Sequence, residues 1–136
     1  MKEECIFCKI VKGEVPSEKI YEDLDTFAFL DINPVNSGHA LVIPKEHYKN
    51  IFDISSEAFS KVMETVRKMS PVIKKAVNAD GVNIGISNER AANQAVFHLH
   101  IHIIPRFQND GLKMFPAKKY KENESKEIAE KIKSLL

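Results

Sequence analysis

Tryptophan is missing from this chain, and cysteine occurs only twice, at Cys5 and Cys8. Two cysteines cannot staple a small secreted fold, and a structural disulfide is not expected in a reducing cytosol. Charge of one sign is also lacking, with 20 basic against 19 acidic side chains and a net charge of +1. That balance excludes a bulk electrostatic pull toward nucleic acid or an anionic membrane. No apolar run approaches transmembrane length. The opening Met1-Lys2-Glu3-Glu4-Cys5 has no apolar signal core. Together these absences predict a cytoplasmic protein with neither nucleic-acid nor membrane partners. No repeat, low-complexity tract or linker interrupts the sequence. Its 136 residues, 43% of them hydrophobic, suit one domain spanning residues 1–136.

What is present is concentrated. Three of the five histidines fall in Phe97-His98-Leu99-His100-Ile101-His102-Ile103-Ile104-Pro105. In a β-strand, with its side-chain period of two, His98, His100 and His102 share one face. Phe97, Leu99, Ile101 and Ile103 then share the other and can enter a core. Packing alone gives no reason for a row of imidazoles, because each buried ring needs a hydrogen-bond partner. Imidazole can act as nucleophile, proton shuttle or metal ligand near neutral pH. Nucleophilic attack on phosphorus is the favoured reading; a shared cation and incidental core histidines are the alternatives. The preceding polar loop, Asn88 to Ala95, offers side-chain amides from Asn88, Asn93 and Gln94 and a run of backbone N–H groups suited to a phosphoryl group.

The rest of the chain reads as α+β. Strands are predicted over 19–22, 26–32, 39–44 and 82–87, with the histidine segment as the fifth. Short connections make the first three an antiparallel meander. Ser55 or Ser56 caps a long amphipathic helix that ends at Asp80-Gly81 and is kinked or divided by Pro71. The Met63, Val66 and Met69 stripe on this helix reads as core or a dimer face. A closing helix runs from Ser125, with Ile128, Ala129, Ile132, Leu135 and Leu136 on one side.

Cys5 and Cys8 form a C-x-x-C pair, half of a zinc site. His47 and His98 could complete it; a redox pair and two unligated thiols are the other readings. His39 opens the third strand and could support the histidine row or merely cap it. Asp31 follows the apolar second strand. It could accept the two hydroxyls of a ribose, although an ordinary turn aspartate is the plainer reading.

Taken in order, Phe7-Cys8-Lys9-Ile10, Phe29-Leu30-Asp31-Ile32, Gly38-His39-Ala40-Leu41-Val42-Ile43-Pro44 and His98-Leu99-His100-Ile101-His102-Ile103-Ile104 resemble the histidine triad (HIT) family of nucleotide hydrolases and transferases. The resemblance runs from Cys5 to about Phe107. It implies a HIT-like fold: an antiparallel five-stranded sheet with one long and one C-terminal helix, dimerising into a continuous sheet through the long helix and the fourth strand. It implies that His100 attacks the α-phosphorus of a purine nucleotide to form a nucleotidyl-histidine that water hydrolyses. His98 and His102 would contact phosphate and leaving group, supported by His39. Asp31 would hold the ribose, while Phe7, Ile10, Phe29 and Ile32 line the base pocket. Asn88, Gln94 and Ala95 would face the phosphate or leaving group. Phosphoramidates and dinucleoside polyphosphates are the implied substrates. Some relatives bind structural zinc at positions matching Cys5, Cys8, His47 and His98; no catalytic metal is implied.

Two departures from the family pattern stand out. Asn93-Gln94-Ala95 replaces the usual Gly-Gln-Ser or Gly-Gln-Thr, so only the Ala95 backbone N–H remains where a hydroxyl would donate. The tryptophan-bearing tail of the phosphoramidase branch is absent. The first departure keeps open a second reading, a nucleotide-binding or sensing module with little turnover. A hydrolase using the histidines as zinc ligands is a third.

Overall fold

The computed structural model describes residues 4–136. Met1–Glu3, on which the reading of an absent signal core partly rests, lie outside the described residues. Five strands form one antiparallel sheet: β1 (Lys19–Glu22), β2 (Thr26–Leu30), β3 (Ala40–Pro44), β4 (Gly81–Ile86) and β5 (Ile101–Arg106). Their spatial order is β1-β2-β3-β5-β4. The first three make the expected meander, and β5 inserts between β3 and β4.

Strand β3 shows why this sheet divides the core in two. Every residue of Ala40–Pro44 is buried, so its alternation sorts apolar side chains between two covered faces. Ala40 and Val42 join Ala28, Leu99, Ile101 and Ile103 under the long helix α2 (Ser56–Ala76), against Val62, Val66, Met69 and Ile73. Leu41 and Ile43 join Phe27 and Phe29 on the other face, under Phe7 and Ile10 of helix α1 (Ile6–Lys12). Val66 and Met69 of the methionine stripe are therefore core, and Met63 packs against their edge.

Several boundaries differ from the sequence reading for local reasons. Helix α1 was not anticipated, since seven residues carry too little periodicity to register. Cys5 caps it by accepting from the Cys8 N–H, and left-handed Gly13 (φ 78°) closes it. Strand β2 stops at Leu30, leaving Ile32 outside the sheet and exposed. Helix α2 runs through Pro71 undivided. Pro71 sits on the exposed side, so the Arg67 carbonyl that loses its helical donor can take water instead. The helix ends before Asp80-Gly81 because Asn78 turns left-handed (φ 56°). The closing helix α3 (Glu124–Leu135) forms, but it buries no residue; Ile128, Ile132 and Leu135 stay exposed.

The largest correction concerns the histidine segment. Pairing begins at Ile101, because β3 meets β5 only from Ala40 to Val42 and β4 reaches it only from Gly81 to Ile86. His98 and His100 thus lie on an approach outside the ladder, with a bend over 96–98. The alternation nevertheless persists: Leu99, Ile101 and Ile103 all enter the α2-side core. Phe97, expected among them, is only half-buried.

Candidate active site

The even-numbered residues of 98–102 leave the core on the α1 side of the sheet. There the Phe7 ring stands edge-on to Phe29, His98 and His100 at centroid separations of 5.4, 6.0 and 5.1 Å. His100 and His102 follow each other at 5.0 Å, and His39 lies 5.1 Å beyond. The structure therefore brings all four expected catalytic histidines into one cluster.

Main-chain groups fix the proton positions in this cluster. A carbonyl can only accept and a backbone N–H can only donate. His100 Nδ1 lies 2.8 Å from the His98 carbonyl, so Nδ1 bears the hydrogen and the Nε2 lone pair is free. His98 Nε2 lies 2.8 Å from the Pro44 carbonyl, which leaves its Nδ1 lone pair directed at the cysteines. That carbonyl is available because Pro44 lies beyond the β3–β5 pairing. At the other end, the Val35 N–H donates to His39 Nδ1 at 3.0 Å. His39 must then donate from Nε2 to His102 Nδ1, 2.9 Å away. Neutral His102 consequently carries its hydrogen on Nε2. The chain runs from Val35 through His39 to His102 and ends as a donor beside the free lone pair of His100.

Burial keeps these rings neutral. It is the leading cause that lowers the pKa of His39, His98, His100 and His102, and it brings His98 and His102 to about 4. Neighbouring histidines add to the lowering at His39, His98 and His102. Asp31 opposes it at His39, His100 and His102.

Two groups have the composition of metal sites, with ligand atoms within 4.8 Å of one another: Cys5, Cys8, His47 and His98, and Asp31, His39 and His102. The first fits a zinc-like cation. Its Sγ to Nδ1 distances are 3.5 Å (Cys5–His98), 3.4 Å (Cys8–His47) and 3.5 Å (Cys8–His98). Tetrahedral Zn–S and Zn–N bonds place such atoms about 3.6 Å apart. Burial raises the Cys5 thiol pKa, a bias that a bound dication would reverse. The second group also has fitting separations, 2.9 Å between the two rings and 3.6 Å from His39 Nε2 to Asp31. There, however, the Val35 N–H commits His39 to a hydrogen on Nε2, the atom a metal would need. Proton positions thus separate two groups of similar spacing.

The remaining expected residues are placed as follows. Asp31 accepts from the Asn33 N–H at 2.9 Å and borders His39. Phe7, Ile10 and Phe29 are buried together, while Ile32 is 86% exposed. Asn88 accepts from the Ile51 N–H at 2.9 Å. Gln94 has no hydrogen-bonding position left for a ligand: Nε2 donates to the Lys49 and Val96 carbonyls, and Oε1 accepts from Asn50 Nδ2 and the Glu89 N–H. Gln94 shapes the loop from inside. Ala95 is exposed at its surface. Asn93, where the resemblance implied glycine, is left-handed (φ 67°), a conformation asparagine tolerates better than most residues. Sequence reasoning missed buried Asn50, which bridges Gln94 and Glu89; no motif marks it. It also missed the Val35 N–H and the Pro44 and His98 carbonyls, because backbone groups carry no residue signal.

Comparison with known proteins agrees with this geometry. The model of the HIT domain matches residues 12–109. Over 107 residues the chain is 48% identical to a HIT-like protein of Methanocaldococcus jannaschii, covering 79% of this chain and 82% of that one. It is 45% identical over 102 residues to a Schizosaccharomyces pombe adenosine 5′-monophosphoramidase, with 75% and 74% covered. Among solved structures, a Bacillus subtilis HIT family protein superposes with a TM-score of 0.91 at 39% identity, covering 98% of each chain. A zinc-bound histidine triad family protein from Mycobacterium smegmatis gives 0.78 at 33% identity, again with 98% of each chain covered. The ordered histidines, the sheet that carries them and these matches place the chain in the HIT family.

Proposed function

We propose that this protein hydrolyses nucleotides at the α-phosphate through a covalent intermediate on His100. The observation that carries the reading is the His100 Nδ1 to His98 carbonyl hydrogen bond, which turns the Nε2 lone pair outward at neutral pH. In the first step Nε2 attacks phosphorus, the N–P bond forms, and the bond from phosphorus to the leaving group breaks. The leaving group departs with a proton drawn from solvent. The His102 Nε2–H donates toward the bridging atom, where negative charge develops. Water then cleaves the N–P bond and returns the free imidazole with a mononucleotide.

Around this centre, Asp31 takes the ribose hydroxyls, and Phe7, Ile10, Phe29 and Ile32 border a purine. Asn88 and the Ala95 backbone N–H face phosphate or leaving group, while Gln94 holds that loop in shape. Similarity to an adenosine 5′-monophosphoramidase supports phosphoramidates as a substrate class, beside dinucleoside polyphosphates. Cys5, Cys8, His47 and His98 would hold structural zinc. The ion would supply charge to keep both sulfurs as thiolates, and these residues would tie α1 to the approach segment. A homodimer is proposed through β4 and α2. Strand β4 is a sheet edge on which Ile84 is 48% exposed, and Val72 of α2 is 55% exposed. A cytoplasmic location completes the proposal.

The test is intact-protein mass after brief mixing with adenosine 5′-phosphoramidate and an alkaline quench. Wild type should gain one adenylyl group and His100→Ala none. An adduct that survives in His100→Ala would overturn the assignment. Ala95, without the hydroxyl common in the family, favours one alternative: a nucleotide-binding module with little turnover. That alternative predicts tight purine-nucleotide binding with neither adduct nor released mononucleotide.

A further inference from the structure

The proton on His102 is set through His39 by a backbone amide, Val35 N–H, with the Asp31 carboxylate 3.6 Å from His39 Nε2 favouring the same hydrogen, and that amide belongs to the exposed loop 33–38. Such a loop would ordinarily wander by more than a hydrogen bond tolerates. Here it is pinned at both ends of its last turn. At Gly38 (φ 87°) an added Cβ would lie 2.9 Å from Val77 Cγ1 and 3.2 Å from Pro105 Cγ, so the backbone is pressed against the end of β5. At Asn36 the side-chain amide donates to the Pro105 carbonyl at 2.9 Å and to Asp110 at 3.1 Å. The Asn36 carbonyl in turn accepts the His39 N–H at 3.1 Å.

Asp110 is itself held from several sides. Its carboxylate takes a two-pronged grip from Arg106 at 2.8 and 3.0 Å, together with the Phe107 and Leu112 N–H groups. Its side chain is only 8% exposed. Arg106 also donates to Asn83 on β4 at 2.7 Å. The network therefore joins the end of β5, strand β4, the segment after β5 and the loop that carries Val35.

We infer that Asn36, Asp110 and Arg106 form a latch that positions the Val35 amide and so sets which nitrogen of His39, and then of His102, carries the hydrogen. None of the three touches the reacting atoms; they are positioning residues. The inference rests on the proposed reaction at His100, in which His102 Nε2–H meets the bridging atom. Without the latch, Val35 N–H drifts from His39 Nδ1 and both tautomers of His39 become populated. A fraction of His102 then presents a bare Nε2 to the leaving group.

The test compares single-turnover adduct formation on two adenylyl compounds. One is an alkylamine phosphoramidate, a poor leaving group; the other is the p-nitrophenyl ester, a good one. Asn36→Ala should slow the first about tenfold and the second less than about threefold, because a good leaving group has little use for the donor. Val35→Pro, which removes the amide hydrogen itself, should reproduce that split. Long-range ¹H–¹⁵N spectra supply a readout independent of turnover. Wild-type His39 should show an unprotonated Nδ1 and a protonated Nε2, and in Asn36→Ala the two signals should move toward each other. Unchanged His39 nitrogens in that variant, or equal slowing of both substrates, would overturn the latch. If wild type forms no adduct at all, the catalytic reading fails and the nitrogen shifts alone decide the latch.

Discussion

At the residue scale, the acid limit of activity follows from burial. In the proposed reaction His100 attacks only when Nε2 is unprotonated, and burial lowers its pKa from the ordinary 6.5. The acid limb of kcat/KM should therefore lie below pH 6.5, measured with adenosine 5′-phosphoramidate; a limb at or above that value would contradict a buried neutral nucleophile. His102 links the same physics to stability. Folded, it titrates at about 4; unfolded, near 6.5. Between these values the unfolded chain binds more protons, so stability falls as pH drops from 6.5 toward 4. Urea midpoints at pH 7, 5.5 and 4.5 should decline in that order, and the decline should be shallower in His102→Gln. Gln94 offers a third test. Gln94→Ala removes the partners of the Lys49 and Val96 carbonyls and the Glu89 N–H and leaves Asn50 Nδ2 only Glu89, at a cost of about 1–3 kcal/mol. Thermal denaturation should register the loss. An unaltered midpoint would return Gln94 to the substrate side.

At the scale of elements, what the sequence discloses depends on how far its signal reaches. Alternation from Leu99 to Ile103 assigned Leu99, Ile101 and Ile103 to the core and grouped the histidines, whereas Phe97, assigned with them, falls in the bend over 96–98 and stays half-buried. Pairing itself depends on where β3 and β4 end, and nothing within the histidine segment encodes that. Pro44 marked the end of its strand, yet its carbonyl's service to His98 is a tertiary fact. Ile32 followed an apolar run and was read as strand, but the run ends at Leu30 and the Asn33-Pro34 turn takes over. The four expected zinc ligands meet, although they span α1, the loop after β3 and the approach to β5. If they bind zinc, chelation should lower the melting temperature of wild type and leave Cys8→Ser unmoved. Equal melting of chelated and untreated wild type, with metal loss confirmed by mass, would remove the structural role.

At the scale of the whole molecule, exposed apolar groups are spread over several elements. They include Ile84 on the β4 edge and Val72 on α2, Ile128, Ile132 and Leu135 on α3, and Phe52, Met114 and Phe115 in the connecting segments. Among the described residues, no helix is long and apolar enough to cross a membrane. For the proposed homodimer, Ile84→Lys should shift the sedimentation coefficient toward that of one chain at micromolar concentration, since like charges would face each other across the edge. A dimer that persists unchanged would locate the contact elsewhere.

The Val35 contact also bears on how this chain tolerates sequence change. Its donor is an amide that every amino acid but proline possesses, and its side chain is half exposed to solvent. A saturation library at position 35 should accept nearly any letter, so a survey of substitutions would rank the site as unimportant. Inserting a single residue between Pro34 and His39 would instead shift that amide out of register and abolish the arrangement. Substitution tolerance and insertion sensitivity should therefore diverge most sharply at the position that decides where His102 keeps its proton.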